Sequence, residues 1–101
     1  MQNLPKEIKR LVNHGPKDYR LERAPLPEPG PNELLVKVGA CGICASDVHC
    51  HHGAPMYWGS DSQPAWVKTP VVVGHEFYGT VVGYGPGALE HFNVKVGVRV
   101  I

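Results

Sequence analysis

Twelve glycines and ten prolines interrupt a chain of 101 residues. Proline removes a helical hydrogen bond and glycine loosens the backbone, so punctuation this dense excludes long helices. Only Ser46 to His52 escapes it for long enough to predict a short helix, with Ser46 as the N-cap and Gly53 as the terminator. The remainder must be short strands joined by turns. "LVNHGPKDYRLE" (11–22) reads as a strand pair turned at Gly15-Pro16, and "APLPEPGPNE" (24–33) as an extended connector. "LLVKVGA" (34–40) is β-rich, and "VVVGHEFYGTVVGYG" (71–85) is a β-branched run broken by glycines. "FNVKVGVRVI" (92–101) carries the clearest period-two signal, with Val94, Val96, Val98 and Val100 on one face. The stretch 53–70 reads as a long surface loop, a length often associated with function.

Many short strands around one small core imply a mainly β fold, a barrel or sandwich with little helix. The length fits one domain with a modest core. Apolar residues at 43% and charged residues at 19% place the chain with globular proteins. A formal charge of +1 leaves no electrostatic footprint for nucleic acid or an anionic membrane. No apolar run reaches the roughly 20 residues that span a bilayer. "MQNLPKEIKRLV" lacks the apolar stretch of a signal peptide. Three cysteines, two of them three positions apart, favour metal or thiol chemistry in a reducing setting over a disulfide framework. The expected location is therefore cytoplasmic.

"CGICASDVHCHHG" (41–53) gathers three cysteines, three histidines, a serine and an aspartate into thirteen positions. Cys41-x-x-Cys44 alone is a weak signal. A thioredoxin-like redox pair would want a long helix after the strand, and a zinc knuckle would want a second Cys/His pair at similar spacing. A third reading needs a partner from elsewhere, and Gly74-His75-Glu76 supplies one. Successive side chains of a regular strand point to opposite faces, so His75 is the stronger ligand candidate and Glu76 needs a bend at Gly74. Cys44, His75 and a carboxylate or second soft ligand, completed by water, form the donor set of a catalytic zinc rather than a closed structural site. The bland alternative makes Cys44 and His75 ordinary core residues.

The run Gly42-Ile43-Cys44-Ala45-Ser46-Asp47-Val48-His49 resembles the first ligand segment of the zinc-dependent, medium-chain alcohol dehydrogenases. "GHEFYGTVVGYGPGA" is similar to that family's zinc signature at Gly74, His75, Glu76, Gly79, Gly85 and Ala88. The resemblance implies a mainly β, GroES-like barrel with short helical segments, lacking the Rossmann cofactor domain. It implies Cys44 and His75 as zinc ligands, with Glu76 either a ligand or a close carboxylate. Asp47 would orient the zinc-binding imidazole, Ser46 would take the substrate alcohol's proton, and His49 would relay it to solvent. Zn2+ would serve as Lewis acid and NAD or NADP as hydride acceptor in the full-length parent. "GHEF" leans toward the relatives that act on polyols and on threonine.

Several features stand apart from the family pattern. "GYGPGA" (83–88) superficially fits a dinucleotide-binding fingerprint, but no helix is expected after it and Pro86 interrupts it. Val98 occupies a position where the family usually has an acidic residue. Residues 1–101 are expected to be the front part of a catalytic domain, inactive alone and inclined to self-associate, the parent being a homo-oligomer. A free-standing GroES-like module with a co-chaperonin-type role is the alternative. It would have no use for Cys44, Ser46, Asp47 and His49 in register with His75. Cys41 is expected at a strand end, His51 and His52 in solvent, and Tyr57, Trp58 and Trp66 around a pocket, facing the parent's further domain or closing the barrel.

Overall fold

The computed structural model describes residues 4–101. Its strands are β1 (Glu7–Gly15), β2 (Asp18–Pro25), β3 (Leu34–Gly42), β4 (Val71–Val72), β5 (Glu76–Tyr84) and β6 (Arg99–Val100). Three short helices, α1 (Ala45–His51), α2 (Pro55–Trp58) and α3 (Ala88–Phe92), lie in the intervals. The mainly β expectation holds, and no helix among the described residues is long and apolar enough to cross a membrane. The strands make two three-stranded sheets, ordered β2-β1-β4 and β3-β5-β6. Each sheet belongs to its own compact unit, the first built on Ile8–Ala24 and Ile43–His75, the second on Pro25–Gly42 and Glu76–Ile101 with the segment ending at Glu7.

In the first unit, β1 turns into β2 at Pro16-Lys17, with Lys17 in a left-handed conformation at φ 62°. β4 pairs antiparallel to β1 through Val12↔Val72 and Asn13↔Val71. Val12 and Ala24 are buried there, beside a fully buried Asn13 whose Oδ1 accepts the Gly15 N–H at 3.0 Å. In the second unit, β3 and β5 pair antiparallel from Leu34↔Tyr84 to Gly42↔Glu76, with irregularities at Leu35/Val36 and Val38/Ala40. Val81 and Ala88 form its buried centre. Gly85 permits the tightest approach in the chain: a Cβ there would sit 1.7 Å from the Gly30 carbonyl oxygen.

Residues 94–98 correct the strongest strand expectation. The alternating valines do not form one long strand, and β6 contains only Arg99 and Val100. Asn93 closes α3 in a left-handed conformation, and Gly97 turns the chain at φ 96°. The Gly97 N–H then bonds the Val81 carbonyl at 2.8 Å, while the Val81 N–H bonds the Val98 carbonyl at 2.9 Å. Those bonds hold a turn against β5, and Val96 and Val98 are left exposed. Two further helices also escaped the sequence reading. α2 starts on Pro55, whose missing N–H is harmless in a first turn. α3 follows "GYGPGA" directly, so the expected lack of a helix there is wrong; the five-residue length and the Gly30–Gly85 contact still mark this loop as packing.

Candidate functional site

Helix α1 begins at Cys44, not at Ser46. Cys44 is the N-cap in an extended conformation, which places Ser46 and Asp47 in the first helical turn. Asp47 Oδ2 accepts the Cys44 N–H at 2.9 Å, so the carboxylate three residues on secures the start of the helix. Asp47 thereby does what Ser46 was expected to do. An anionic side chain in a first helical turn is also favoured by the exposed N–H groups. At the other end His52 caps the helix and Gly53 follows in a left-handed conformation.

His75 lies just before β5, outside any regular strand, after Gly74 with φ 113°. A φ of that size suits glycine and few other residues. The bend brings His75 to the start of α1. Its Nδ1 is 3.5 Å from Asp47 Oδ1, and its Nε2 is 3.5 Å from Ser46 Oγ. A carboxylate near one ring nitrogen is a common companion of a histidine that offers the other to a metal. Cys44 and His75 present ligand atoms within 4.8 Å of one another. A tetrahedral zinc spaces thiolate sulfur and imidazole nitrogen about 3.5 Å apart, so the donor set fits with a roughly 1 Å side-chain adjustment.

The other expected site residues are distributed unevenly. Glu76 follows His75 by one peptide bond as the first residue of β5, and its carboxylate lies over Gly42, where a Cβ would come within 3.4 Å of Oε2. His49 is on α1 but exposed, and it does not line the cavity that Ser46, Asp47 and His75 border. That cavity measures about 660 Å³ and is otherwise walled mainly by Val67, Val71, Val72, Val73, Tyr57 and Trp66. Trp58 does not line it; its indole N–H donates to the Cys50 carbonyl at 2.6 Å.

Polar wall residues missed by sequence reading are Tyr19, Cys50 and Lys68. Burial pushes the Cys50 thiol up in pKa, the Asp47 charge adds to that, and a Trp58 hydrogen bond works the other way. Tyr19 reaches the cavity from β2, and its ring stacks on His51 at 5.4 Å. His51 is thus half-buried rather than solvated, while His52 is exposed as expected. Cys41 is exposed near the end of β3.

The fold and these side chains define a class: a strand-rich domain in which a cysteine and a histidine from distant segments meet beside a carboxylate. Residues 30–101 match the alcohol dehydrogenase GroES-like domain, and the chain belongs to that family. It is 46% identical over 98 residues to an erythritol/L-threitol dehydrogenase of Mycolicibacterium smegmatis, covering 97% of this chain and 27% of that protein. It is 53% identical over 75 residues to sorbitol dehydrogenase of Ovis aries, covering 74% of this chain and 19% of that one. In structure it resembles a chain of Sinorhizobium meliloti 1021 assigned as a zinc-binding dehydrogenase and bound to NADP, with a TM-score of 0.69 and 35% identity over 90% of this chain and 23% of that one. The chain therefore spans about a quarter of the length of such relatives.

Proposed function

We propose that residues 1–101 are the front part of the catalytic domain of a zinc-dependent polyol dehydrogenase using NAD or NADP. Cys44, His75 and Glu76 would hold Zn2+. The observation that carries the reading is the meeting of Cys44 and His75, 31 positions apart, within 4.8 Å beside a carboxylate aimed at Nδ1. Glu76 is the third ligand because it adjoins His75 and its carboxylate lies over Gly42, two residues before Cys44. When bound, zinc supplies Lewis acidity to an alcohol oxygen and NAD(P) supplies the hydride acceptor.

The residues of this chain orient the reactants and move the proton. Asp47 fixes the His75 ring and the α1 start together through its two oxygens. Ser46 Oγ, beside Nε2 and on the cavity wall, is placed to take the proton of a substrate hydroxyl. His49 then passes it toward solvent from its exposed position on α1. The valines and aromatic rings of the cavity wall would give the substrate's carbon skeleton an apolar surface to pack on. Polyol selectivity rests on the similarity to the erythritol/L-threitol and sorbitol dehydrogenases.

Metal content tests the reading. The purified chain reconstituted with zinc is expected to retain about one ion per chain, and Cys44→Ala and His75→Ala are each expected to lose it. Zinc retained in both variants would place any bound metal on other cysteines and histidines and overturn the assignment.

A further inference from the structure

We propose that Tyr19 is a substrate-binding residue, its phenol hydroxyl hydrogen-bonding a hydroxyl of a polyol seated in the 660 Å³ cavity, away from the carbon that reacts. The inference rests on the dehydrogenase reading above and names the residue that would let that site prefer a polyol over a simple alcohol.

A polyol carries several hydroxyls into a pocket, and each one left unpaired after desolvation weakens binding. Val67, Val71, Val72 and Val73 are apolar, and Ser46, Asp47 and His75 are already committed to the chemistry. Of the polar side chains that remain on the wall, Lys68 and Trp66 are exposed, whereas Tyr19 is half-buried. The Tyr19 hydroxyl makes no hydrogen bond to any described residue, although the ring is half-buried and held. Stacking on His51, with an angle of 18° between the planes, fixes that ring on the wall before a ligand arrives. Preorganisation of this kind lowers the entropy lost on binding. Desolvation raises the Tyr19 pKa, and Cys50 and Asp47 raise it further, so the group remains a neutral donor near neutral pH. Tyr57, the other phenol of the wall, sits on the four-residue α2 with a tilted contact to Trp66 at 6.2 Å, a less constrained mounting.

The test compares Tyr19→Phe with the unaltered 101-residue chain, both loaded with zinc. The substitution keeps the ring and its stack on His51, and matching amide NMR spectra verify the fold. Binding of erythritol and of 1-butanol is followed by ligand-observed NMR. Erythritol is expected to bind about fivefold more weakly to Tyr19→Phe, with 1-butanol unchanged, as befits the loss of one neutral hydrogen bond. Equal erythritol affinity in the two chains, equal weakening of both ligands, or no erythritol binding by the zinc-loaded unaltered chain would each overturn the proposal. Zinc stoichiometry is read separately by native mass spectrometry. An unaltered chain that retains zinc while Tyr19→Phe behaves like it sinks the Tyr19 inference alone; an unaltered chain that retains no zinc sinks the dehydrogenase reading as well.

Discussion

Replacing Asp47 with asparagine separates the two tasks of its carboxylate. One oxygen accepts the Cys44 N–H at 2.9 Å, and the other faces His75 Nδ1 at 3.5 Å. Asparagine caps helices about as well as aspartate, so its single carbonyl oxygen can stay on the Cys44 N–H at little loss. The amide NH2 must then face His75 Nδ1. Two donors cannot face each other, so the imidazole proton moves to Nε2, the nitrogen a metal would need. Half of the His75 side chain is exposed, which screens the lost charge attraction; tautomer control is the larger effect. Loss of such a supporting carboxylate typically lowers metal affinity about 10- to 100-fold, or roughly 1.4–2.7 kcal/mol. Folding stability of the metal-free chain should change by only a few tenths of a kcal/mol, a Tm shift of about 2 °C. Chelator competition measures the first quantity and thermal unfolding by circular dichroism the second. A zinc Kd within about twofold of the unaltered chain would refute the orienting role of Asp47. A large Tm loss with unchanged zinc affinity would assign Asp47 to the helix cap alone.

Gly85→Ala should destabilise the second unit by about 3 kcal/mol, because its Cβ would sit 1.7 Å from the Gly30 oxygen and backbone cannot rotate away; an unchanged urea midpoint would contradict that packing. In the metal-free chain at pH 7.5, iodoacetamide should label exposed Cys41 several-fold faster than half-buried Cys50, whose pKa burial has raised; peptide mass spectrometry giving equal rates would show Cys50 to be more accessible than the cavity wall allows.

Chemistry was easier to read in the sequence than backbone course. Cys44 and His75 announce themselves through residue type, and the Gly15-Pro16 break located the first hairpin because turns need those residues. Val94 to Val100 misled because alternation reports side-chain spacing and says nothing about hydrogen-bond partners. There, Asn93 and Gly97 took left-handed conformations and the Val81 backbone accepted and donated the bonds of a turn. The start of α1 was displaced for a related reason. Serine is the better intrinsic cap, yet an aspartate three residues after Cys44 secures the earlier start through a side-chain bond. Tyr19 carried no motif at all. Its place on the cavity wall comes from the β1–β2 hairpin and from stacking on His51, a contact across 32 positions that no local pattern encodes.

The register of β3 against β5 bears on how two candidate ligands so distant in sequence meet. The ladder ends with Gly42 opposite Glu76, and the strands are antiparallel. The chain therefore leaves β3 and enters β5 at neighbouring points, so residues 43–44 and residue 75 start side by side. Only two adjustments remain: the extended conformation of Cys44 ahead of α1, and the turn at Gly74 before His75. A single-residue slip in that ladder would put Gly42 opposite Phe77 or His75 and send every side chain beyond it to the other face. The irregularity at Leu35/Val36 leaves Val82 of β5 without a partner and the one at Val38/Ala40 leaves Gly39 of β3 without one, so the two offsets cancel before Gly42. The pairing of Gly42 with Glu76 thus brings together the two backbone points from which residues 43–44 and residue 75 continue.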